Sequence, residues 1–266
     1  MVLKYMASNG LVANKEKTAF IYIPSTKNHE TNTHCRKVNV GGVDILEGES
    51  EKLLGIKIDG SLDFKEHVKD IVSQSNQRFY LLRKVRPHVT LNQIKTLGTG
   101  LVMSKIEYCL GSFAHVYLDE TESCKKSENM KKLQKVQNDL LRIITKSKLK
   151  DNIPIKNILG KLNYLSVNQL AAKQVLNTTW NFIKSDIKPM KELLQGIQRN
   201  DTLRSATKGF INPETMDRFS FPFQAKMLWN SEKLEQKFRE SETPTIAKNV
   251  AKRFVKDNVP QIPWKN

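Results

Sequence analysis

The 266-residue chain carries 44 Lys and Arg against 27 Asp and Glu, a formal charge of +17, with 39% apolar residues. That length and apolar share suit one large or two small cores. No apolar run approaches the roughly 18 residues of a membrane span and no basic-then-apolar leader opens the chain, so an intracellular protein without membrane contact, nuclear or cytoplasmic, is expected. Cys35, Cys109 and Cys124 are odd in number and widely spaced, which fits neither a disulfide framework nor a zinc module. The charge is uneven: residues 1–120 hold 16 basic and 13 acidic residues, residues 121–266 hold 28 and 14. Such an excess favours polyanionic partners through phosphate neutralisation, the alternative being a solvated lysine-rich surface.

Val2, Tyr5 and Met6 suit the last turns of a helix that Asn9-Gly10 stops, and Thr18 to Ile23 reads as a strand. A helix that starts at or before the first residue leads us to expect a truncated chain. Val38 and Val40 pair with Val43 and Ile45 around Gly41-Gly42, a hairpin adding two strands to the sheet. His29, His34 and Cys35 lie nearby, but three ligands on a polar loop with no fourth read as a surface cluster. The pattern changes period within residues 51–68. Leu54, Ile56 and Ile58 alternate as a half-buried strand, and from Phe64 the positions Val68, Ile71, Val72, Ser75, Phe79 and Leu82 follow helical spacing. Asp63 and Glu66 read as a capping box at that helix start.

Arg83, Lys84 and Arg86 precede Pro87, and Thr90 with Gln93 predicts a second capping box. The following helix carries Leu91, Ile94, Leu97, Leu101 and Met103 to Ile106. Gly98-Thr99-Gly100 neither follows a strand nor ends in Gly-Lys-Ser/Thr, so close helix packing is the expected role. A polar loop at 121–129 leads into a further helix. At about 100° per residue, Lys131, Lys135, Asn138 and Arg142 fall on one face, with Leu133, Val136, Leu140 and Ile144 opposite. The stripe reads as free of acids, and Lys146, Lys148 and Lys150 extend it, a pattern suited to phosphate contact or to a solvated face. Ser166 with Gln169 predicts a third capping box, before a helix carrying Leu170, Val175, Leu176, Phe182 and Ile183 that Pro189 ends or restarts. Residues 196–218 read as a linker, and 219–266 as a helical end with Trp229 and Phe254.

Several stretches together resemble the reverse transcriptases of non-LTR retrotransposons. Residues 9–18, with Asn14, Lys17 and Thr18, are similar to a palm motif that follows the family's catalytic aspartate pair. Leu53-Leu54-Gly55-Ile56, Asp59, Ser61-Leu62 and Phe64 to Val68 resemble the passage from the primer-grip strand into the thumb, with Phe64 where the family has Trp. Ser104 to Tyr108 resembles a thumb segment whose later tryptophan is missing, Phe113 being placed to fill part of that space. Leu133-Gln134, Gln137 and Leu141 to Ile144 resemble a thumb helix, and Phe219 to Asn230 a C-terminal extension.

The resemblance implies an α+β, mainly α architecture: a small antiparallel sheet from the end of a palm (1–60), a helical thumb (61–150), a helical extension (151–195), the linker and the C-terminal segment (219–266). It implies an RNA/DNA template-primer, or other nucleic acid, as partner, together with the remainder of the polymerase. Lys65, Lys69, Arg83, Lys84, Arg86, Lys131, Lys135, Asn138, Arg142 and Lys146 are the candidate contacts. Lys17 would stand near the leaving pyrophosphate as a proton donor. The full-length enzyme would use Mg2+ held by carboxylates. This sequence has no Asp-Asp pair, so these residues are expected to be inactive alone and to hold no cofactor. A stand-alone basic nucleic-acid-binding module and an inactive transposon relic are the alternative readings.

Overall fold

Turn chemistry shapes the first seventy residues. The computed structural model describes residues 2–12, 14–24, 36–118, 127–185 and 220–261. Helix α1 (Val2–Ser8) ends at Gly10, whose φ of +68° lets Leu11 N–H reach back to the Met6 carbonyl at 2.8 Å. Residues 18–23 do not form the expected strand. They make one parallel bridge, Phe20 to Glu47, because an extended segment without a neighbouring ladder has nothing to hold its backbone groups.

Strands β1 (Lys37–Val40) and β2 (Val43–Leu46) pair antiparallel in the expected register, Val38 opposite Ile45 and Val40 opposite Val43. Strands β3 (Ser50–Leu53) and β4 (Ile56–Asp59) form a second hairpin and a separate sheet, so the two hairpins do not extend one sheet. Leu54 is a correction to the alternating strand: it lies in the turn at φ +48° with Gly55 at +91°, and is 83% exposed. A two-residue turn that matches strand twist needs positive φ at both positions, and Leu54 accepts that conformation beside a glycine.

The helix entry is organised by Asp59 at the end of β4. One carboxylate oxygen accepts from Ser61 N–H (3.1 Å), the Ser61 hydroxyl (2.7 Å) and Asp63 N–H (3.1 Å), and the other accepts from Phe64 N–H (2.9 Å). Asp63 in turn accepts from Lys65 N–H at 3.1 Å. Helix α2 (Lys65–Val85) then follows its predicted spacing, with Val68, Ile71, Ser75, Phe79 and Leu82 buried.

The chain divides into two compact units, Met1–Asp70 and Ile71–Asn266, with the boundary inside α2. The second unit is helical: α3 (Leu91–Gly98), a wide π-type turn (Thr99–Met103), α4 (Ser104–Glu107), α5 (Leu110–Phe113), α6 (Glu128–Thr145), α7 (Ile155–Leu162), α8 (Val167–Lys184), α9 (Phe221–Trp229), α10 (Gln236–Glu240) and α11 (Pro244–Asn258). The architecture is thus mainly α with two small antiparallel sheets. Two of the three predicted reciprocal caps, Thr90 with Gln93 and Ser166 with Gln169, form; at the first, Asp63 accepts from the Lys65 N–H.

Helix α8 is the shared packing surface of this unit, touching α5, α6, α9 and α11. The described helices α3 to α11 all belong to this unit. Gly98 packs against α6, where a Cβ would meet Leu140 at 2.8 Å. Buried Asn168 on α8 accepts from Tyr117 N–H at 2.9 Å and donates to the carbonyls of Tyr117 (2.9 Å) and Pro260 (3.1 Å). Amide bonds thus fix two chain segments that lack regular structure. Trp229 and Phe238 meet edge to face at 5.6 Å, with Arg239 donating to the Trp229 carbonyl at 2.7 Å. The expected linker at 196–218 and the His29, His34 and Cys35 cluster lie outside the described residues.

Candidate nucleic-acid interface

In the first unit the motif residues Asn14, Lys17 and Thr18 are brought together by Asn14. Its side-chain oxygen accepts from Glu16 N–H (3.0 Å) and Lys17 N–H (3.2 Å), and its carbonyl accepts from the Thr18 hydroxyl (2.8 Å). The spacing therefore has a local reason, an Asn-led turn. Lys17 is exposed on it. Lys65 and Lys69 are each paired with an acid on the same stretch of chain, Asp63 and, at 3.4 Å, Glu66. Exposed pairs of this kind leave the ammonium available at little cost.

The candidates of the second unit separate by what each side chain already does. Arg86 is used by the fold, donating to the carbonyls of Ile144 (2.9 Å) and Val89 (3.2 Å), so it closes the carbonyl end of α6. Lys146, in the left-handed conformation at φ +59°, is the residue that ends α6 and is exposed. Lys131 lies 2.9 Å from Glu128.

Arg83 from α2 and Lys135 and Arg142 from α6 form the cluster that sequence spacing alone did not join. All three act electrostatically on Asp139. Burial pushes the Asp139 carboxyl above its ordinary range, and the pull of the three cations does not overcome it. Asp139 corrects the expectation of an acid-free stripe: it lies about 40° from Lys135 on the helix circumference. On α2, the Lys84 ammonium sits 4.5 Å from the ring centroid of Tyr80, an exposed aromatic.

The apolar face of α6 is buried as predicted at Leu133, Val136, Leu140 and Ile144, and burial extends to Gln134 and Gln137. Gln134 accepts from Val167 N–H at 3.0 Å and donates to Gln137 and Asn138, while Gln137 donates to the Leu165 carbonyl at 2.8 Å. The two glutamines thus serve as core ties between α6 and the start of α8. Asn138 and Arg142 turn away from the exposed end of the stripe and line a cavity of about 760 Å3. Asn152, Lys156, Lys256 and Gln261 are among its other polar lining residues. Sequence reading missed these four, because Lys256 and Gln261 come from more than a hundred residues downstream.

Among the described residues no three His, Cys, Asp or Glu side chains are grouped as a metal ion would require. The described residues do not supply the carboxylate pair of a two-metal centre. Among the described residues no helix is long and apolar enough to cross a membrane. Compared with known family profiles, with curated proteins and with solved structures, the chain matches none.

Proposed function

We propose that this chain is a nucleic-acid-binding part of a non-LTR reverse transcriptase, contributing palm-end and thumb contacts to an RNA/DNA template-primer. The sequence stretches at 9–23, 51–68 and 131–144 support the reading, as does the cationic excess beyond residue 120. The observation that carries it is that Arg83 on α2 and Lys135 and Arg142 on α6 all act electrostatically on one half-buried acid, Asp139. Three cations against one acid leave a net positive charge of the kind that neutralises phosphates. In this reading the residues bind and orient the duplex, and phosphoryl transfer belongs to carboxylates that this sequence does not supply.

The test is fluorescence anisotropy with a labelled RNA/DNA hybrid over a salt series. Binding should weaken steeply with salt. Arg83→Ala combined with Lys135→Ala, both exposed, should cost about tenfold in affinity and flatten the log–log salt slope by about 2. An unchanged slope removes this cluster as the contact. The charge excess outside the motif stretches also favours a second reading, a basic helical module acting alone. That reading expects equal affinity for hybrid, duplex DNA and single strands, whereas a thumb prefers the hybrid.

A further inference from the structure

The cavity between α6, residues 149–156 and the end of α11 holds an unanswered charge. Arg142 is partly buried and its Nη1 is fully shielded from solvent without a hydrogen-bond partner. A guanidinium carries five N–H donors and stays charged, so leaving one nitrogen dry and unpaired is costly unless something else occupies the space. Asp139 influences it only through space.

The surrounding groups are arranged with spare donors. Asn138 receives a bond from Gln134 on its oxygen at 2.9 Å, which leaves its Nδ2 hydrogens uncommitted. Lys156 and Lys256 line the same cavity with exposed ammoniums, and Asp257 is the acid among its lining residues. On the C-terminal side, Gln261 Oε1 is buried without a partner. Gln134 and Gln169, by contrast, are spent on the backbone: Gln134 on Val167 N–H, Gln169 on the Ser166 N–H and the Val259 carbonyl. The wall therefore offers free cations and amide donors on one side and a free acceptor on another. A volume of about 760 Å3 falls within the range of small-molecule sites.

We propose that this cavity binds a phosphate-bearing nucleotide. Arg142 takes phosphate oxygens in its planar fork, Asn138 Nδ2 donates a further bond, and Lys156 and Lys256 add charge. Gln261 Oε1 accepts from a donor on the sugar or base. The nucleotide comes either free or as the phosphorylated end of a strand, and both present the same monoester. The inference does not rest on the template-primer reading, since a mononucleotide engages the cavity with no duplex present.

The experiment is calorimetric titration of the full chain with inorganic phosphate, with dAMP, and with a short DNA strand bearing or lacking a 5′-phosphate. We expect dAMP to bind at least tenfold more tightly than inorganic phosphate, and Arg142→Gln to remove about tenfold or more of that affinity. Equal affinity for dAMP and inorganic phosphate overturns the nucleotide assignment. Because Arg142 is half-buried, the double change Lys156→Ala with Lys256→Ala provides a second reading on exposed positions. It should weaken dAMP several-fold while the cooperative unfolding midpoint stays put. Unchanged dAMP affinity in both variants overturns the site. Tighter binding of the 5′-phosphorylated strand than of dAMP assigns the source to a strand end, and the reverse order assigns it to a free nucleotide. Loss of hybrid binding in Arg83→Ala/Lys135→Ala with dAMP affinity intact separates this cavity from the duplex surface.

Discussion

The two units of this chain are built by different physics. Among the buried apolar residues of the described chain, Val68 alone belongs to the first unit, and all others lie at or beyond Ile71. The first unit is instead written by backbone geometry: glycines at positive φ in its hairpins, Asn14 holding one turn, Asp59 holding the entry to α2. The second is written by side-chain packing, with α8 central and amides such as Asn168 and Gln137 tying irregular segments to it. Local bonds stabilise two-stranded hairpins only marginally, whereas a buried helical core is cooperative. The proposed contacts Arg83 and Lys135 both lie in the second unit, on helices that pack into that core.

The largest expected effect is in that core. Leu140 is fully buried on α6, and its side chain is the atom group that Gly98 approaches. Leu140→Ala should cost about 2–5 kcal/mol through lost transfer free energy and a residual cavity. Residue-resolved amide exchange should report that loss in α6 and α8. An equal loss in β3 and β4 would erase the contrast between the units.

An intermediate effect is expected at Asp59. Its carboxylate accepts from three backbone N–H groups and the Ser61 hydroxyl. Asp59→Ala should cost about 1–2 kcal/mol, in the range of a strong helix cap, and appear as faster exchange at Phe64 and in the first turn of α2. Retained protection at Lys65 would mean that Asp63, which accepts from the Lys65 N–H, suffices to start the helix.

These two sites also mark where sequence was legible. Reciprocal caps at Thr90 and Ser166, the α6 apolar face and the Gly41-Gly42 hairpin could be read because each is set within a few residues. Leu54 was misplaced because a strand's alternation does not mark where its turn falls, and Leu at positive φ runs against its usual preference. Asp139 was visible beside Lys135 on the helix, yet its link to Arg83 depends on how α2 meets α6. The cavity was hidden altogether, since Arg142 and Gln261 meet only through the fold, and no local pattern distinguishes an arginine facing solvent from one facing a cavity.

The smallest effect, and the one that probes the first unit most directly, is on pH dependence at His67. The ring is buried, and its Nδ1 stands 3.5 Å from the Lys57 N–H. Burial lowers its pKa, Asp70 pulls it back up, and Lys57 adds to the lowering. A histidine held below its ordinary value binds fewer protons folded than unfolded, so its contribution to stability is complete above about pH 6.5 and is lost as pH falls through the folded pKa. Opposing pulls from Asp70 and Lys57 keep the effect small. An NMR titration of the His67 ring should give a midpoint below about 6.5, and protection of the Lys57 amide, corrected for intrinsic exchange, should fall over the same interval. His67→Gln retains an acceptor without a titrating proton, so it should flatten that dependence while leaving protection at neutral pH nearly unchanged. A midpoint above the ordinary value would mean that Asp70 outweighs burial, and that the first unit gains support from a charged histidine at acid pH instead of losing it.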